Sequence, residues 1–349
     1  MIKVSFAIPG DIGTPTGGYA YDRHVLEALP RCGVEVTHLP LPGGFPFPSA
    51  AEIEATARLL AGVPADSVLL IDGLALGVLP GTCLAPVAAP IVAMHHHPLG
   101  LETGLDAETG LRLLNAERAA LRYARHIIVT SQTTADTLCE RGFAPPPPVT
   151  VALPGTEAAP RARGSGGARA EILSVGSVVP RKGHDLLIEA LAGLTHLEWH
   201  CTIAGSLDRS SDFASGLTRR IAGAGLGDRI RLTGPLSLAE MQELYARADI
   251  FALPSRYEGY GMAFAEALAR GLPVIGARAG AVPGTVPADA GILVPPDDAP
   301  ALREALAALL TDARLRQRLS DAAWAYAPTL PRWTDTARII ADVLRGAAR

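Results

Sequence analysis

Lysine is nearly absent from this chain of 349 residues, because only Lys3 and Lys182 among its 31 basic side chains are lysines. Chemistry that needs a lysine Schiff base, such as that of pyridoxal phosphate, therefore has two candidates. Cysteine is scarce too, and the four cysteines form no CxxC pair, which disfavours a zinc site and a disulfide framework. Free thiols suit a reducing compartment, so we expect a cytoplasmic protein.

A surplus of positive charge is also missing, since the formal net charge is −4 and the isoelectric point is about 6.1. This balance disfavours nucleic acid as a partner. The opening apolar run, Ile2–Ile8, lacks the cleavage site of a signal peptide. The uncharged stretch Gly73–Met94 is interrupted by Pro80, Pro86 and Pro90, so we interpret it as a loop flanked by buried strands.

Short apolar runs and helical patterns alternate along most of the chain. Buried strands separated by amphipathic helices indicate the α/β class, with parallel sheets covered by helices on both faces. The length of the chain favours two domains. The predicted strands are Ile2–Ile8, Val34–Leu39, Ser67–Asp72, Pro90–His95, His126–Thr130, Val149–Ala152, Glu171–Val175, His200–Ala204, Arg229–Leu232, Ile250–Leu253, Pro273–Ile275 and Gly291–Val294.

The alternation fails between Pro145 and Ala170, where four prolines precede a linker of small residues and arginines. We therefore predict two Rossmann-like, doubly wound domains, residues 1–165 and 166–330, followed by a terminal helix within residues 331–349. Ligands of such sheets bind beyond the carboxyl ends of the strands, so a cleft between the domains is the expected site.

Two loops that follow predicted strands carry glycine or basic residues. Gly17 and Gly18 precede a helix whose free N–H groups favour an anion, although the spacing is not that of a dinucleotide site and a plain turn also explains it. Arg181 and Lys182 follow the strand Glu171–Val175, a place where two cations can hold two phosphate groups. A solvated basic turn is the alternative for this pair.

A third loop, after the predicted strand Ile250–Leu253, carries two carboxylates. Glu258 lies in the loop, and Glu266 lies in the second turn of a helix that starts near Met262, just after Gly261. The amides at the start of the helix favour an anion, whereas carboxylates beside them suit hydroxyl donors such as those of a sugar or ribose. Two surface acids are the simpler alternative.

The spacing of these residues resembles that of the family-4 retaining glycosyltransferases, which have the GT-B fold. The chain matches P-S-x-x-E-G-[YF]-G-x-x-x-x-E-A-x-A-x-G-x-P-V-I from Pro254 to Ile275. The resemblance covers nearly the whole chain and is densest over residues 171–296. It implies two Rossmann-like domains that face each other across a cleft, with a C-terminal helix that crosses back to the first domain. Further matches lie in Ser174–Gly183, Ile203–Gly205, Leu232–Gly234, Gly291–Val294 and the Gly17-Gly18 pair.

The resemblance implies a role for each matched residue. Arg181 and Lys182 would bind the donor diphosphate, and Glu258 would hold the hydroxyls of the transferred sugar. Glu266 would accept hydrogen bonds from the nucleotide ribose. The first domain would bind the acceptor and the second the nucleotide sugar. The remaining substrate contacts would come from Gly17, Gly18, Gly205, Tyr260, Gly261 and Met262.

Three consecutive histidines, His95, His96 and His97, end the predicted strand that starts at Pro90. Neighbouring residues of a strand point to opposite sides, so the three cannot readily bind one ion, and no metal site is predicted. The pattern P-x-V-A-x-x-H resembles the family's strand-end histidine near the reacting sugar, and counting from Pro90 selects His96. The alternatives are His95, His97 or histidines with a structural role only.

The predicted activity is the transfer of a hexose from a nucleotide sugar, of the UDP-glucose or GDP-mannose type, to a hydroxyl acceptor such as a cell-envelope glycan or lipid. The candidate catalytic residues are His96, Glu258, Arg181 and Lys182. The resemblance implies a retaining reaction without a cofactor or metal, and the absence of a D-x-D motif disfavours a metal-clamped GT-A transferase. A nucleotide-sugar epimerase of the same fold and a non-catalytic sugar-nucleotide-binding protein are the alternatives. A peripheral contact with the inner face of the membrane would suit a lipid acceptor.

Overall fold

The chain folds into two compact units, seen in a computed structural model that describes residues 1–140, 147–167 and 169–349. In sequence, the first unit consists of two segments, and the second unit is inserted between them. The first unit comprises Met1–Gly155 and Pro331–Arg349, and the second unit comprises Thr156–Leu330.

Six strands form the centre of the first unit: β1 (Ile2–Pro9), β2 (Val34–Leu41), β3 (Val68–Asp72), β4 (Ile91–His95), β5 (Ala124–Val129) and β6 (Val149–Val151). They make one parallel sheet in the order β2-β1-β3-β4-β5-β6. Every residue of β3 and β4 is buried. Burial on both faces explains why these strands are unbroken apolar runs in the sequence.

The helices within residues 1–140 are α1 (Gly17–Ala28), α2 (Ala50–Ala61), α3 (Gly73–Leu76), α4 (Gly81–Leu84), α5 (Ala107–Leu121) and α6 (Gln132–Glu140). The stretch from Gly73 to Met94, which we expected to be a loop, thus contains the short helices α3 and α4. Gly77 caps the end of α3 and Pro80 precedes α4, which limits each to a single turn. No helix in the described ranges is long and apolar enough to cross a membrane.

The order of the strands opens a crevice in the first unit. The chain moves outward from β1 to β2, and then places β3 on the other side of β1. Where connections leave neighbouring strands in opposite directions, ligands of doubly wound sheets bind beyond the carboxyl ends. The loop after Pro9 and the end of β3 at Asp72 border this crevice.

The second unit repeats this plan with six parallel strands: β7 (Ala170–Val175), β8 (Trp199–Ala204), β9 (Ile230–Leu232), β10 (Ile250–Leu253), β11 (Val274–Ala277) and β12 (Gly291–Val294). Their order is β12-β11-β10-β7-β8-β9, so the direction of connection changes between β7 and β10. The crevice of this unit therefore lies beyond these two strands. All twelve predicted strands are present, and each ends within two residues of its predicted limits.

Helices cover the second sheet: α7 (His184–Ala192), α8 (Ser211–Gly223), α9 (Leu238–Arg247), α10 (Met262–Leu268), α11 (Val282–Thr285), α12 (Ala299–Thr311) and α13 (Ala313–Tyr326). A capping box begins α9, because the Ser237 side chain accepts from the Glu240 amide and Glu240 reaches back to the Ser237 amide. The start of α10 at Met262 is also where the sequence predicted a helix.

The units divide after Gly155, ahead of the position 165 at which we placed the end of the first domain. The linker residues between these positions pack on the second unit. The amide of Ala162 donates to the carbonyl of Arg270 at 2.8 Å, and that of Arg163 to the carbonyl of Ala246 at 2.9 Å. Of the predicted linker region, Pro145, Pro146 and Ala168 lie outside the described residues.

The last helix, α14 (Trp333–Ala347), packs on the first unit. The ring of Trp333 stacks on His24 with centroids 4.2 Å apart and meets Tyr21 edge-on at 5.6 Å. The hydroxyl of Thr336 donates to the carbonyl of Leu153 at 2.7 Å. Its buried residues recur along one face with helical spacing. They are Trp333, Thr336, Ala337, Ile340, Ala341, Leu344 and Ala347.

Candidate functional site

The loops after β7 and β10 bring three charged side chains together at the crevice of the second unit. Lys182 Nζ donates to Oε1 of Glu258 at 2.6 Å, across a sequence separation of 76 residues. A guanidinium nitrogen of Arg181 lies 3.5 Å from Oε2 of Glu258. The hydroxyl of Ser255 also donates to Oε1, at 2.6 Å. We call Arg181, Lys182 and Glu258 the basic cluster.

Glu258 is ionised in the basic cluster. Burial is the largest single influence on this carboxyl group, and burial alone would raise its pKa. The charges of Lys182 and Arg181, together with the hydrogen bonds from Lys182 and Ser255, outweigh burial and lower the pKa below its ordinary value. The cluster therefore holds two positive charges against one negative charge, and keeps positive charge for an anionic ligand.

Backbone packing sets the distance between the two loops. Gly183 has φ of 68°, and a β-carbon built there would lie 2.1 Å from the carbonyl oxygen of Pro254, so this approach requires glycine. The amide of Arg256 donates to the carbonyl of Arg181 at 2.8 Å. The guanidinium of Arg256 spans both oxygens of Asp185 at 2.9 and 3.0 Å. Backbone contact and a bidentate ion pair thus hold the loops in register.

Four other residues predicted to contact substrate lie in the second unit. Tyr260 is only 8% exposed, so a ligand would meet its backbone rather than its ring. Gly261 has φ of 93° and precedes Met262, the first of the seven residues of α10. Gly205, at the end of β8, packs so closely on Gly176 that a β-carbon would lie 2.1 Å from the Gly176 carbonyl oxygen.

Glu266 is held by partners outside the basic cluster. The phenolic O–H of Tyr245 donates to Oε2 of Glu266 at 2.9 Å, and Arg270 donates to the Glu266 carbonyl at 2.8 Å. The guanidinium of Arg270 also lies over the ring of Tyr245, 4.4 Å from its centroid. Burial raises the pKa of Glu266, against the opposing effects of Tyr245 and Arg270. Within the described residues, Glu266 makes no hydrogen bond or ion pair with the basic cluster.

The crevice of the first unit holds a cluster of opposite composition, with two acids and one histidine. His96 follows β4, and its Nε2 lies 3.2 Å from Oδ2 of Asp72 and 3.2 Å from Oδ1 of Asp22. Asp72 ends β3, and Asp22 lies in the second turn of α1. The single N–H at Nε2 can point at only one of these two oxygens, and the geometry of a hydrogen bond is satisfied for Oδ2 of Asp72. We call Asp22, Asp72 and His96 the acidic cluster.

The predicted glycine pair of the first unit lies beside this cluster. Gly17 begins α1, and a β-carbon at Gly18 would lie 3.6 Å from Cδ2 of His96, in ordinary contact with the ring. The ring of Tyr21 meets the imidazole edge-on, with centroids 5.3 Å apart. The structure therefore brings Gly17, Gly18 and His96 together, as it brings together the basic cluster.

The three members of the acidic cluster shift one another's pKa. Burial works against a charged His96, but Asp22 and Asp72 outweigh it and raise the pKa of His96 to about 10. Burial and the charge of Asp72 raise the pKa of Asp22 to about 8, against the influence of His96. Burial also favours a higher pKa for Asp72, yet His96 and Asp22 lower it. At neutral pH, Asp72 is thus ionised between two protonated neighbours.

The other two histidines have partners of their own. Nδ1 of His95 lies 3.6 Å from Oε1 of Glu117, and both side chains are buried. Burial lowers the pKa of His95 to about 3 and raises that of Glu117 to about 8, so both groups are uncharged at neutral pH. Nε2 of His97 lies 3.2 Å from Oε2 of Glu102. The three neighbouring histidines therefore face different acids.

One group of side chains in the described part of the chain has the composition of a metal site. The acidic cluster offers two carboxylate oxygens and an imidazole nitrogen, all within 4.8 Å of one another. A protonated imidazole balances the charge of these carboxylates in the same place, so the arrangement is complete without an ion. The absence of a metal from the reaction stays a prediction.

Several residues of the two clusters and their surroundings were not foreseen from the sequence. Asp72 ends an apolar strand beside a crevice, and this position is a signal that could have selected it. Arg256 lies in the same loop as Glu258, so the motif could have included it. Asp22 and Tyr245 have no such signal, because each faces its partner only after a helix packs on the sheet.

Comparison with known proteins gives one matching family. The family model described as Glycosyl transferases group 1 matches residues 156–325. The MMP α-(1→4)-mannosyltransferase of Mycolicibacterium hassiacum is 30% identical over 296 residues, which cover 80% of this chain and 70% of that protein. The GDP-mannose-dependent α-(1-6)-phosphatidylinositol monomannoside mannosyltransferase of Mycobacterium tuberculosis is 29% identical over 188 residues, which cover 52% of this chain and 48% of that protein. The second alignment thus spans about half of each protein.

Solved structures resemble the whole chain. Sucrose-phosphate synthase from Thermosynechococcus elongatus has a TM-score of 0.83 at 22% identity, and the match covers 99% of both chains. HepE of Anabaena, solved in complex with UDP and glucose, has a TM-score of 0.80 at 20% identity and covers 99% of this chain and 100% of its own. At these identities the likeness shows the fold.

Proposed function

Because this chain belongs to the glycosyl transferases of group 1 and has the GT-B fold, we propose that it is a retaining, metal-independent hexosyltransferase that uses a nucleotide sugar. The observation that carries the proposal is the basic cluster at the crevice of the second unit. Two cations there share one carboxylate, and their remaining charge suits a diphosphate.

The proposed reaction breaks the bond between the anomeric carbon of the sugar and an oxygen of the donor phosphate, which keeps the electron pair. Lys182 and Arg181 hold the diphosphate and stabilise the negative charge that develops on it, which is the work of a metal ion in other transferases. The acceptor hydroxyl bonds to the anomeric carbon on the same face and passes its proton to the departing phosphate oxygen. This route needs no protein nucleophile.

Carboxylates of the second unit position the donor in this proposal. Glu258 is ionised and held in place by its two cationic partners, so it suits the hydroxyls of the transferred sugar. Glu266 uses Oε2 for the hydrogen bond from Tyr245, which leaves Oε1 for the ribose. His96 contacts the sugar from the first unit. The amides at Gly17, Gly18, Tyr260, Gly261 and Met262, with Gly205, complete the donor contacts.

Relatives support the choice of donor and acceptor. One is named as a mannosyltransferase and another as GDP-mannose-dependent, which favours GDP-mannose, whereas the structure of HepE with UDP and glucose favours UDP-glucose. A relative that acts on phosphatidylinositol monomannoside supports a cell-envelope glycan or lipid as the acceptor. A cytoplasmic location and a peripheral membrane contact stay predictions.

Calorimetric binding of donors to the full chain tests this proposal. UDP-glucose, GDP-mannose and ADP-glucose are each titrated in buffer that contains EDTA. We expect one nucleotide class to bind, and we expect Glu266→Ala to weaken its binding at least about tenfold, since a charged hydrogen-bond partner is lost. Glu189→Ala is the matched control, because Glu189 is an exposed glutamate in a helix of the same unit.

Two results would contradict the proposal in different ways. If no sugar nucleotide binds, the second unit does not serve a donor, and the non-catalytic interpretation replaces transfer. If binding or turnover is lost in EDTA and restored by Mg²⁺ or Mn²⁺, the enzyme is not metal-independent. Retention is tested by NMR, which reads the anomeric configuration of the product against that of the donor.

A further inference from the structure

The acidic cluster surrounds one imidazole with two carboxylates in a place from which water is nearly excluded. Asp22 is fully buried and Asp72 is 3% exposed. Neighbouring buried carboxylates repel each other, and their burial is costly unless positive charge or a proton lies between them. Nε2 of His96, at 3.2 Å from an oxygen of each carboxylate, is where that positive charge is needed.

The carboxylates engage only one nitrogen of the imidazole ring. Nδ1 of His96 makes no hydrogen bond within the described residues and is not among the polar atoms shielded from solvent. The His96 side chain is 18% exposed, whereas both oxygens of Asp22 are shielded and receive no hydrogen bond from the described residues. The ring is thus anchored on its buried side and open at Nδ1.

We propose that Asp22 and Asp72 together keep His96 protonated on both ring nitrogens, so that Nδ1–H is a permanent hydrogen-bond donor to a hydroxyl of the transferred sugar. Asp22 and Asp72 are positioning residues, because they act through His96. The inference rests on the proposed function, in which His96 contacts the sugar. It excludes His96 as a general base, since a base needs an unprotonated nitrogen at the working pH.

The other titratable groups near the ring are compatible with this protonation. From α1, Tyr21 presents a ring edge to the imidazole, and burial keeps the pKa of its phenol well above the ordinary value, so it stays neutral. In the segment of His96 itself, His95 is uncharged at neutral pH because burial lowers its pKa to about 3. His97 is paired with Glu102. The side chains with the largest influence on the pKa of His96 are Asp22 from α1 and Asp72 from the end of β3.

A distinct pH dependence follows from this arrangement. The raised pKa of His96, about 10 against an ordinary 6.5, means that its stabilisation of the fold is complete below pH 6.5 and is lost as the pH rises toward 10. The double variant Asp22→Asn/Asp72→Asn keeps oxygens that can accept from Nε2 but removes both carboxyl groups that raise the pKa of His96. In this variant His96 should titrate near its ordinary pKa of about 6.5.

NMR of the full chain, labelled with ¹³C at Cε1 of histidine, tests the inference. The wild-type chain, Asp22→Asn/Asp72→Asn and the control Asp342→Asn are titrated from pH 6 to 9, and the His96 signal is assigned from its absence in His96→Gln. We expect the signal to keep the chemical shift of a protonated imidazole in the wild type and the control, and to move to that of a neutral imidazole with a midpoint near pH 6.5 in the double variant. Asp342 is a suitable control because it is an exposed aspartate on α14 of the same unit.

Transfer kinetics give a second readout that a purely structural role would not change. An imidazole with a pKa near 6.5 is about 1% protonated at pH 8.5, so kcat/KM of Asp22→Asn/Asp72→Asn should fall at least about tenfold between pH 6 and 8.5. The wild-type profile should show no such decrease from His96. If the double variant does not fold, Asp22→Asn takes its place, and the midpoint of its His96 signal should lie below that of the wild type, because the acid with the largest raising effect on the pKa of His96 is lost.

Two outcomes would overturn the inference. One is a wild-type His96 signal that titrates with a midpoint below pH 7.5. The other is selective broadening of that signal by micromolar MnCl2, which would show that a metal ion supplies the charge between the carboxylates. The NMR result does not depend on donor binding. A His96 signal that stays protonated in a chain that binds no sugar nucleotide would uphold the protonation by Asp22 and Asp72 and refute the proposed function, and the reverse pair of results would do the opposite.

Discussion

The two units carry charged clusters of opposite composition at equivalent points of their sheets. In the second unit two cations share one carboxylate, whereas in the first unit two carboxylates share one imidazole. Each cluster lies beyond the strands between which the connections change direction, β7 and β10 in one unit and β1 and β3 in the other. The same architecture therefore holds two basic side chains and one acid in one unit, and two acids and one histidine in the other.

The difference lies in what each cluster leaves for a ligand. The basic cluster sets two cations against one carboxylate, a balance that suits an anion such as a diphosphate. The acidic cluster is neutral near pH 7, because the protons on Asp22 and His96 balance the remaining carboxylate, and it offers a single N–H. One cluster is suited to bind a charged group and the other to orient one side chain, so likeness of fold does not predict likeness of chemistry.

Among the substitutions considered, the removal of Lys182 should have the largest effect on activity. Lys182→Ala leaves Arg181 alone to balance Glu258, so the surplus charge of the basic cluster is lost. We expect kcat at saturating donor to fall about 10²- to 10³-fold, which is the usual effect of removing a preorganised donor to developing negative charge. Lys3→Ala is the matched control, because Lys3 is the other lysine of the chain and is exposed. Equal losses in both variants would contradict the assignment.

The unfolding free energy of Glu258→Gln should show how much the charge balance of the basic cluster stabilises the fold. The variant leaves two cations without their carboxylate, and we expect it to lose about 2 kcal/mol of unfolding free energy at pH 7. The pKa of Glu258 in the fold is below its ordinary 4.5, so the stabilisation is complete above that value and is lost as the pH falls through the folded value. Urea unfolding at pH 7, 5.5 and 4 measures the difference.

The gap in unfolding free energy between wild type and Glu258→Gln should be equal at pH 7 and 5.5 and smaller at pH 4. Glu189→Gln, on the surface of α7, should show no gap at any of these values. A gap that does not change down to pH 4 would mean that charge does not account for the stabilisation.

Alanine substitutions at two glycines compare how closely the backbone is packed beside each cluster. Gly183→Ala places a β-carbon 2.1 Å from the Pro254 carbonyl oxygen at φ of 68°, and we expect a loss of about 2 to 3 kcal/mol. Gly18→Ala places it 3.6 Å from the ring of His96, and we expect a change within about 0.5 kcal/mol. Chemical unfolding of both variants measures the effects. Similar losses would contradict the contrast between the closely packed Gly183 and the more open Gly18 in α1.

The smallest effect on ligand binding is expected at the hydroxyl of Tyr245. Tyr245→Phe removes the hydrogen bond that orients Glu266, so binding of the nucleoside diphosphate should weaken about five- to tenfold, as for the loss of one hydrogen bond to a charged group. Calorimetry with the ribose and the 2′,3′-dideoxyribose forms of the nucleotide separates the causes. The dideoxy form should bind both proteins equally, and an equal penalty with both forms would mean that Tyr245 has only a structural role.

Much of the fold was predictable because its determinants are local. Strands buried on both faces are short apolar runs, and the capping box at Ser237 marks the start of a helix. The stretch after Gly73 was interpreted wrongly as a plain loop, since single helical turns between prolines carry too few residues to show a period. The end of the first unit at Gly155 depends on hydrogen bonds to distant carbonyls, which composition does not reveal.

The candidate site was predictable to different degrees in the two units. Arg181, Lys182 and Glu258 occupy loops at strand ends within dense motifs, so their types and positions pointed to one another. Asp22 and Asp72 approach His96 through the order of the strands and the packing of α1. That approach depends on contacts distant in sequence, and a pattern along the chain contains no record of it.

The discontinuity of the first unit has a consequence during synthesis. The second unit is complete on the ribosome once Leu330 has been added, whereas the first still lacks α14. Until α14 has been synthesised, the ring of Tyr21 lacks its contact with Trp333 and keeps only its contact with His96. A premature stop codon shortly after Leu330 would therefore keep every residue of the second unit. It would nevertheless remove Trp333, which packs on Tyr21, the residue whose ring contacts His96 in the first unit.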